Sequence, residues 1–301
     1  MNEFDLIREI LDVLGAATGG GAVRVGPGDD AAVIAAPEGA DLVSSIDAVV
    51  GDVHFPASAG ASLIGYRSLM VSLSDLAAMG AEPGFALVAL TLPEMDAEWT
   101  RQLASGMARA AQEASAPVVG GNIARGPLTI TVSVHGWLPA GSAITRGGAR
   151  PGHGVYVTGE LGGAAAALTR GGLGERRVEA DLDALDARYF LPAPRLEAGK
   201  RLRGLASSAI DVSDGLLQDL GHLCRASGTG AELDGASIPV MAGAKLEHAL
   251  FGGDDYELCF TAAAEPGELG VACTRIGTVV AGSEITLDAR PVSAAGYQHF
   301  R

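Results

Sequence analysis

Carboxylates recur in this sequence where apolar runs end. Asp29 and Asp30 follow a Gly-Pro-Gly turn, Asp254 and Asp255 follow a Gly-Gly pair, and Asp47 closes an apolar run. Carboxylates that converge repel one another unless a proton or a cation neutralises them. Oxygen ligands suit Mg²⁺, which keeps waters and bridges to substrate phosphates. The pattern predicts a magnesium site for phosphoryl chemistry.

A further acidic turn lies within residues 208–219. A short apolar run ends at Asp211, Ser213 is a residue type that caps helices, and Leu216 begins a helical apolar spacing. This order predicts a strand, a tight turn and a helix that has Ser213 as its N-cap and Asp214 in its first turn. Such junctions bind ligands in open α/β sheets. Asp214 could equally complement the helix dipole alone.

Periodic apolar residues predict helices and strands around these turns. In the first half they predict helices at 59–80 and 96–114 and strands at 42–47, 85–92, 117–122 and 128–138. In the second half they predict strands at 155–158, 230–234 and 256–261 and helices at 195–205 and 241–250.

Two features of this element pattern bear on the site and the domains. Residues 51–55 are expected to continue the strand 42–47 after a turn, and Asp75 lies in an apolar helix, where a buried acid needs a partner or a metal. The turn-rich stretch 145–154 is expected to separate two domains, of residues 1–140 and 150–301.

Composition narrows the classes of partner. The chain has 301 residues, of which 48% are hydrophobic, and its net charge is −15. The length allows one large or two medium domains, and the charge disfavours binding to nucleic acid or an acidic membrane. The three cysteines (Cys224, Cys259 and Cys273) form no disulfide or zinc pattern. With no cationic leader and no 18-residue apolar run, the protein is expected to be cytoplasmic.

The sequence contains neither a Walker A loop nor a complete dinucleotide-binding fingerprint. Gly199-Lys200 is followed by Arg201 instead of Ser or Thr, so there is no Walker A loop. The turn Gly159–Gly163 lacks the full dinucleotide fingerprint. Because the chain has two lysines, positive charge near phosphates is expected from Mg²⁺ and from arginines such as Arg146.

Six motifs, in order and nearly end to end, resemble the thiamine-monophosphate kinase family of the PurM-like (aminoimidazole ribonucleotide synthetase-like) superfamily. They are Gly-Pro-Gly-Asp-Asp-Ala-Ala (26–32), Ser-Ile-Asp with Val-His-Phe (45–47 and 53–55), Ser-Leu-Ser-Asp-Leu-Ala-Ala-Met-Gly-Ala (72–81), Ala-Ile-Asp-Val-Ser-Asp-Gly-Leu (209–216), Gly-Gly-Asp-Asp-Tyr-Glu-Leu (252–258) and Gly-Tyr-Gln-His-Phe (296–300). The resemblance implies an α/β (α+β) fold of two domains. The N-terminal mixed-sheet domain would form a barrel with its twin in a homodimer, and the C-terminal domain would be α+β.

The resemblance also implies an activity. It implies that ATP, as co-substrate, phosphorylates thiamine monophosphate to thiamine diphosphate by direct in-line transfer assisted by several Mg²⁺ ions. Neither a nucleic acid nor a membrane is implied as a partner.

Site roles follow motif by motif from the same resemblance. The implied magnesium ligands are Asp30, Ser44, Ser45, Asp47, Asp75, Asn122, Asp211 and Asp214. Contacts to ATP are implied for Gly121, Asn122, Arg146 and Ser213. Contacts to thiamine phosphate are implied for His54, Asp254 and Tyr297. Asp75 and Asp211 would be catalytic through the metal, with no general base.

Simpler readings exist for four of the residues singled out. Asp29 could be a turn residue, His54 a structural histidine, Tyr297 a packing residue, and Arg146 the partner of a surface acid.

The sequence departs from the family pattern at two positions. Asn122 stands where the family usually has Asp, and Asp254 stands where it usually has Glu. These departures leave two rival functions open: a PurM-like ATP-dependent enzyme with another acceptor, and a weakly active or non-catalytic nucleotide-binding protein.

Overall fold

The computed structural model describes residues 3–299, and the chain folds into two compact units. The first unit contains most of the N-terminal half together with Gly172–Asp183. The second contains the C-terminal half together with Ala77–Ala81. Each unit therefore contains one short segment from the other half of the sequence. The expected domains, 1–140 and 150–301, are continuous ranges without such segments.

The first unit is built on a mixed four-stranded sheet. Its elements are α1 (Glu3–Leu14), β1 (Val23–Val25), β2 (Val33–Ile34), β3 (Ala40–Val50), α2 (Ala61–Ala78), β4 (Glu82–Leu92), α3 (Ala97–Glu113), β5 (Val118–Arg125) and β6 (Thr129–Pro139). The sheet order is β3-β6-β4-β5, in which β4 and β5 are parallel and the other pairs antiparallel. Strands β1 and β2 form a separate antiparallel pair.

The apolar periodicity explains these elements. Ile130, Val132 and Val134 alternate along β6 and are all buried, as expected for a strand with one face in the core. Helix α2 buries nearly its whole surface. The predicted helices at 59–80 and 96–114 are thus confirmed within two residues at each end.

The prediction that residues 51–55 continue a strand is wrong. Strand β3 ends at Val50, and the chain turns so that Gly51 and Phe55 form an isolated bridge. Asp52 has φ 60°, in the left-handed region that no strand residue adopts. Its N–H donates to the Phe55 carbonyl at 2.7 Å and closes the turn.

The second unit is built on a seven-stranded sheet. Its elements are β7 (Gly154–Thr158), α4 (Gly163–Arg170), α5 (Ala184–Phe190), α6 (Leu196–Leu202), β8 (Ala206–Asp211), α7 (Leu216–Ser227), β9 (Gly230–Leu233), α8 (Leu246–Phe251), β10 (Leu258–Ala262), β11 (Cys273–Val280), β12 (Ile285–Leu287) and β13 (Arg290–Pro291). The sheet order is β13-β12-β9-β11-β7-β10-β8, with β12 parallel to β9 and the other pairs antiparallel.

Most predicted elements of this unit are confirmed, but two helix starts are wrong. Helix α8 begins at Leu246 instead of 241, since Gly243 has φ 88°. Helix α7 begins at Leu216, with Gly215 as its N-cap, so Ser213 is not the cap and Asp214 is not in the first turn.

The true start of α7 is set by a different acid. One carboxylate oxygen of Asp219 accepts hydrogen bonds from the backbone N–H groups of Ser213, Asp214 and Gly215 at 3.0, 3.0 and 3.2 Å. Asp219 therefore reaches back from the first turn and fixes the backbone of the turn before the helix, as the acid of a capping box does for the N-cap N–H.

A buried carboxylate, Glu257, joins several elements of the second unit. Its Oε1 accepts a hydrogen bond from Arg188 at 2.8 Å, and its Oε2 accepts from Arg195 Nε at 2.6 Å and from the Thr158 hydroxyl at 2.7 Å. The Glu257 side chain is fully buried, and each arginine keeps about a fifth of its side chain exposed. Because a buried charge is tolerated only when paired and hydrogen-bonded, this cluster fixes the chain at residue 257.

We expect Glu257→Gln to lower the free energy of unfolding by about 3 kcal/mol, because the change keeps the shape but leaves two guanidinium groups without a counter-charge. Urea unfolding followed by circular dichroism measures the loss. Glu197→Gln is the matched control: Glu197 is exposed and pairs with Arg201 at 2.9 Å, so the loss should stay below about 1 kcal/mol. Equal losses in the two variants would contradict the assignment.

Candidate active site

Three predicted site residues meet where β3 faces α2. Ser45 and Asp47 project from one face of β3, since alternate residues share a face. The Ser45 hydroxyl donates to the Asp75 carboxylate, and Asp47 interacts with the Ser72 hydroxyl. Burial raises the pKa of Asp47, the Asp75 charge raises it further, and the Ser72 hydrogen bond opposes both. The structure thus brings Ser45, Asp47 and Asp75 together.

This group fits a hard divalent cation. All its ligating atoms are oxygens, and the Asp75 charge disfavours ionisation of Asp47, a repulsion that a bound cation would relieve. Within residues 3–299, no group of three or more His, Cys, Asp or Glu side chains is arranged to hold a metal ion. Water and substrate phosphates would therefore have to complete the coordination of Mg²⁺.

The neighbouring predicted ligand, Ser44, has its hydroxyl on the other face of the sheet. It hydrogen-bonds to Nδ1 of His135, its partner across the β3–β6 pair, at 2.9 Å. The His135 ring stacks on Phe85 at 4.4 Å between centroids, and burial lowers the pKa of His135. The structure therefore does not bring the hydroxyl groups of Ser44 and Ser45 together.

Other predicted residues of the first unit line a cavity of about 690 Å³. Its polar lining includes Asp29, Asp30, Gly121 and Asn122, and its apolar lining includes Ile7, Leu11, Leu103, Ala104 and Met107. Asp29 accepts a hydrogen bond from the N–H of Asp30 at 2.9 Å, which supports the turn-residue reading of Asp29. Asp30 and Asn122 are exposed into this region.

Gly121 lies where a side chain cannot fit. It pairs with Val88 in the parallel β4–β5 ladder, and a Cβ atom at this position would lie 1.9 Å from the Val88 carbonyl oxygen. Glycine therefore keeps the backbone of β5 close to β4 and leaves the cavity side of the strand open.

His54 lies in the turn after β3. Its Nδ1 accepts a hydrogen bond from the N–H of Val50 at 3.0 Å. In a neutral ring this acceptor role leaves the proton on Nε2, which can donate to a ligand. The contact satisfies one ring nitrogen, so a structural role and a substrate contact are both compatible with the geometry.

In the second unit, the acidic turn after β8 is joined to the loop that carries Asp254. The N–H of Val212 donates to the Glu257 carbonyl at 2.7 Å, that of Tyr256 to the Val212 carbonyl at 2.9 Å, and that of Asp254 to the Ser213 carbonyl at 2.9 Å. Asp211, buried at the end of β8, pairs with Leu258 in the adjacent strand. These contacts bring the motifs 209–216 and 252–258 together, as a shared site requires.

The C-terminal motif joins the same turn. The N–H of Tyr297 donates to the Asp214 carbonyl at 3.0 Å. The Gln218 amide donates to Asp214 Oδ2 at 3.0 Å and to the Tyr297 carbonyl at 2.8 Å. Tyr297 is 43% exposed and stacks edge-on against His299, so a packing role and a substrate contact are both compatible with the geometry.

Arg146 is exposed and lies close enough to His222 to affect the pKa of that histidine. Burial lowers the pKa of His222, the charges of Arg225 and Arg146 lower it further, and Asp214 acts in the opposite direction. Within the described part of the chain, Arg146 forms no ion pair with a carboxylate. Positive charge is therefore available next to the acidic turn, as expected for a site that receives phosphates.

Comparison with known proteins decides the family. The N-terminal domain of AIR synthase related protein matches residues 28–138, and its C-terminal domain matches residues 150–290. The thiamine-monophosphate kinase of Salmonella typhimurium is 40% identical over 303 residues, covering 92% of each chain. That of Haemophilus influenzae is 33% identical and covers 100% of this chain and 98% of its own length. The chain belongs to the thiamine-monophosphate kinase family.

Solved structures agree with this assignment. The thiamine-monophosphate kinase from Stenotrophomonas maltophilia K279a superposes with a TM-score of 0.87 and 37% identity, over 94% of this chain and 97% of that one. AaThiL complexed with AMPPCP and TMP superposes with a TM-score of 0.82 and 30% identity, over 99% and 97% of the two chains. The hydrogenase maturation protein HypE in complex with ATP shares the fold at 18% identity, with a TM-score of 0.77 over 97% of this chain and 95% of that one.

Sequence reasoning missed three residues near the thiamine-monophosphate kinase motifs. Asp219 and Gln218 stand in the first turn of α7, and His135 binds Ser44. Burial raises the pKa of Asp219 to about 7, the N–H of Asp214 opposes this, and the Asp214 charge adds to it. Asp219 could have been predicted, because acids are favoured in the first turn of a helix. Nothing in the sequence indicated Gln218 or His135.

Proposed function

We propose that this chain phosphorylates thiamine monophosphate with ATP and gives thiamine diphosphate and ADP. One geometric observation supports this function best. Three motifs that lie far apart in sequence meet at the turn 211–215 of the second unit, through the contacts of Asp254 and Tyr297. Membership of the kinase family and the likeness to AaThiL complexed with AMPPCP and TMP support the acceptor and the nucleotide.

The reaction needs little covalent chemistry from the protein. An oxygen of the acceptor phosphate forms a bond to the γ-phosphorus of ATP, and the bond from that phosphorus to the β–γ bridging oxygen breaks. The attacking oxygen is already anionic at neutral pH, so no side chain has to remove a proton. Alignment and neutralisation of charge are the remaining tasks.

The acids of both units are proposed to hold magnesium. In the first unit the ligands are Asp30, Ser45, Asp47, Asp75 and Asn122, and in the second they are Asp211 and Asp214; Ser44 is left out because its hydroxyl faces His135. Bound Mg²⁺ supplies a Lewis acid that neutralises charge on the transferred phosphoryl group. The protein side chains contribute by fixing the carboxylates in place, as the Ser45 hydroxyl does for Asp75.

ATP and thiamine phosphate are proposed to bind at the residues that the family motifs indicate. Gly121 and Asn122, which both line the cavity of about 690 Å³, would contact the nucleotide in the first unit. Arg146 and the turn at Ser213 would contact its phosphates in the second unit. His54, Asp254 and Tyr297 would contact thiamine phosphate.

The two rival functions make different predictions. An enzyme with another acceptor would consume ATP only with that acceptor, and a non-catalytic homologue would bind ATP without turnover. Incubation with ATP, Mg²⁺ and thiamine monophosphate separates them from the proposed function. Equal amounts of ADP and thiamine diphosphate would support the kinase, and their absence would exclude it.

Asp75→Asn and Asp211→Asn are each expected to lower turnover at saturating Mg²⁺ by at least about 100-fold, since each removes a charge from the proposed metal ligands. Turnover is measured by product chromatography, and the unfolding temperature shows whether the variant is folded. Asp234→Asn is the control, because Asp234 is an exposed cap that accepts from Ala236 at 3.0 Å. Wild-type turnover in either test variant would exclude its role.

Asn122→Asp is expected to lower the Mg²⁺ concentration for half-maximal activity and to raise turnover, because Asp adds the charge that the amide lacks. Asn122→Ala, which removes the oxygen donor, should shift both quantities in the opposite direction. Magnesium titrations of the three proteins measure this. If both variants match the wild type, Asn122 is not a metal ligand.

The open face of the first sheet supports the homodimer. Ile46, Ser133 and Leu87 form a row across β3, β6 and β4 on one face. Ile46 is 65% exposed and Leu87 37% exposed, and Leu42 lies on the same face of β3 at 54%. Exposed apolar surface of this kind marks an interaction site, and we propose a second copy of the chain as its partner.

We expect Ile46→Glu to convert a dimer into a monomer, because the change places a charge inside the proposed interface. Sedimentation velocity over a range of protein concentrations measures the mass. Leu168→Glu is the control, since Leu168 is 48% exposed on a helix of the second unit. A wild-type protein that stays monomeric at every concentration would contradict the homodimer.

A further inference from the structure

Gln218 makes two hydrogen bonds through its side-chain amide nitrogen. The residue lies in the first turn of α7 and is 8% exposed. Its Nε2 donates to Asp214 Oδ2 at 3.0 Å and to the Tyr297 carbonyl at 2.8 Å. One amide group therefore contacts both a proposed magnesium ligand and the peptide group of a proposed substrate contact.

The backbone reinforces this link. The N–H of Tyr297 donates to the carbonyl of Asp214, so both backbone polar groups of Tyr297 are bound to the segment from Asp214 to Gln218. Gly296 fits directly against this surface, since a Cβ atom there would lie 2.2 Å from the Asp214 carbonyl oxygen and 2.9 Å from the Gln218 Cβ. The segment that carries Tyr297 is thus held by Asp214 and Gln218 together.

The two contacts of Gln218 require a hydrogen-bond donor at this position. Both Nε2 hydrogens of Gln218 have acceptors, whereas its Oε1 is buried and has no hydrogen-bond partner within the described residues. A carboxylate of the same shape would present only acceptors to Asp214 and to the Tyr297 carbonyl. A leucine of similar size would leave both acceptors without their donor.

We propose that Gln218 is a positioning residue that couples binding of magnesium at Asp214 to binding of thiamine phosphate at Tyr297. The inference rests on the proposed function for the roles of Asp214 and Tyr297. Gln218 itself touches neither the metal nor the substrate. It fixes the Asp214 carboxylate and the Tyr297 segment in one arrangement, so a ligand that orders one also orders the other, and the coupling is reciprocal.

The test compares Gln218→Leu and Gln218→Glu with Gln102→Glu. Gln102 is the matched control because its Nε2 also donates to an acid four residues earlier on a helix, Glu98, at 2.9 Å, but on an exposed surface of the first unit. We expect a rise of roughly tenfold in KM for thiamine monophosphate in both Gln218 variants, since a hydrogen bond to a charged group is lost. The Mg²⁺ concentration for half-maximal activity should rise in parallel, with a smaller change in kcat. The control should match the wild type.

Two measurements separate positioning from general destabilisation. Hydrogen exchange of the Tyr297 amide should be faster in Gln218→Leu without any ligand, while the amides of the strand 258–262 keep their protection. A double-mutant cycle with Tyr297→Ala should show that Gln218→Leu adds little to KM once the tyrosine side chain is absent. A purely structural role would give the same increment in both backgrounds.

The outcomes decide the inference. Unchanged KM and unchanged Mg²⁺ dependence in folded Gln218→Leu would overturn it, as would additive effects in the cycle. If the wild type does not phosphorylate thiamine monophosphate, the proposed function fails instead. In that case calorimetric titration of Mg²⁺ into the wild type and Gln218→Leu, together with the Tyr297 amide exchange, still tests the link to Asp214.

Discussion

The second unit depends on the pairing of two turns through their backbones. Three hydrogen bonds join residues 212–213 to residues 254–257, and one of them uses the carbonyl of Glu257. The side chain of the same glutamate is buried against two arginines and a threonine. Glu257 therefore helps to hold the acidic turn through its carbonyl group, and its buried carboxylate pairs with the charges of two arginines near the Asp254 loop.

The first unit solves a different electrostatic problem. The Asp75 charge disfavours ionisation of Asp47, the Ser72 hydroxyl offsets part of that cost, and the Ser45 hydroxyl donates to Asp75. A divalent cation bound here would relieve the repulsion, and the hydroxyl groups would be further oxygen ligands.

Helices and strands that depend on a local apolar pattern could be predicted from the sequence. Features that depend on which side chain forms a particular hydrogen bond could not. Apolar spacing predicted α2, α3 and β6 closely, because burial of one face determines those elements. Ser213 looked like an N-cap from its type, but the carboxylate of Asp219 takes the N–H groups before the helix. Gln218 gave no signal, since its partner Tyr297 lies 79 residues away.

The backbone of the Asp254 loop has a consequence for the free energy of binding any ligand at this loop. Asp254 and Tyr256 both have positive φ angles, of 69° and 51°, and the Tyr256 hydroxyl donates to Asp254 at 2.8 Å. Holding non-glycine residues in this region costs about 1–3 kcal/mol each, which the surrounding contacts must offset. That cost is met during folding. The loop is consequently preorganised, so little ordering entropy is lost when a ligand arrives.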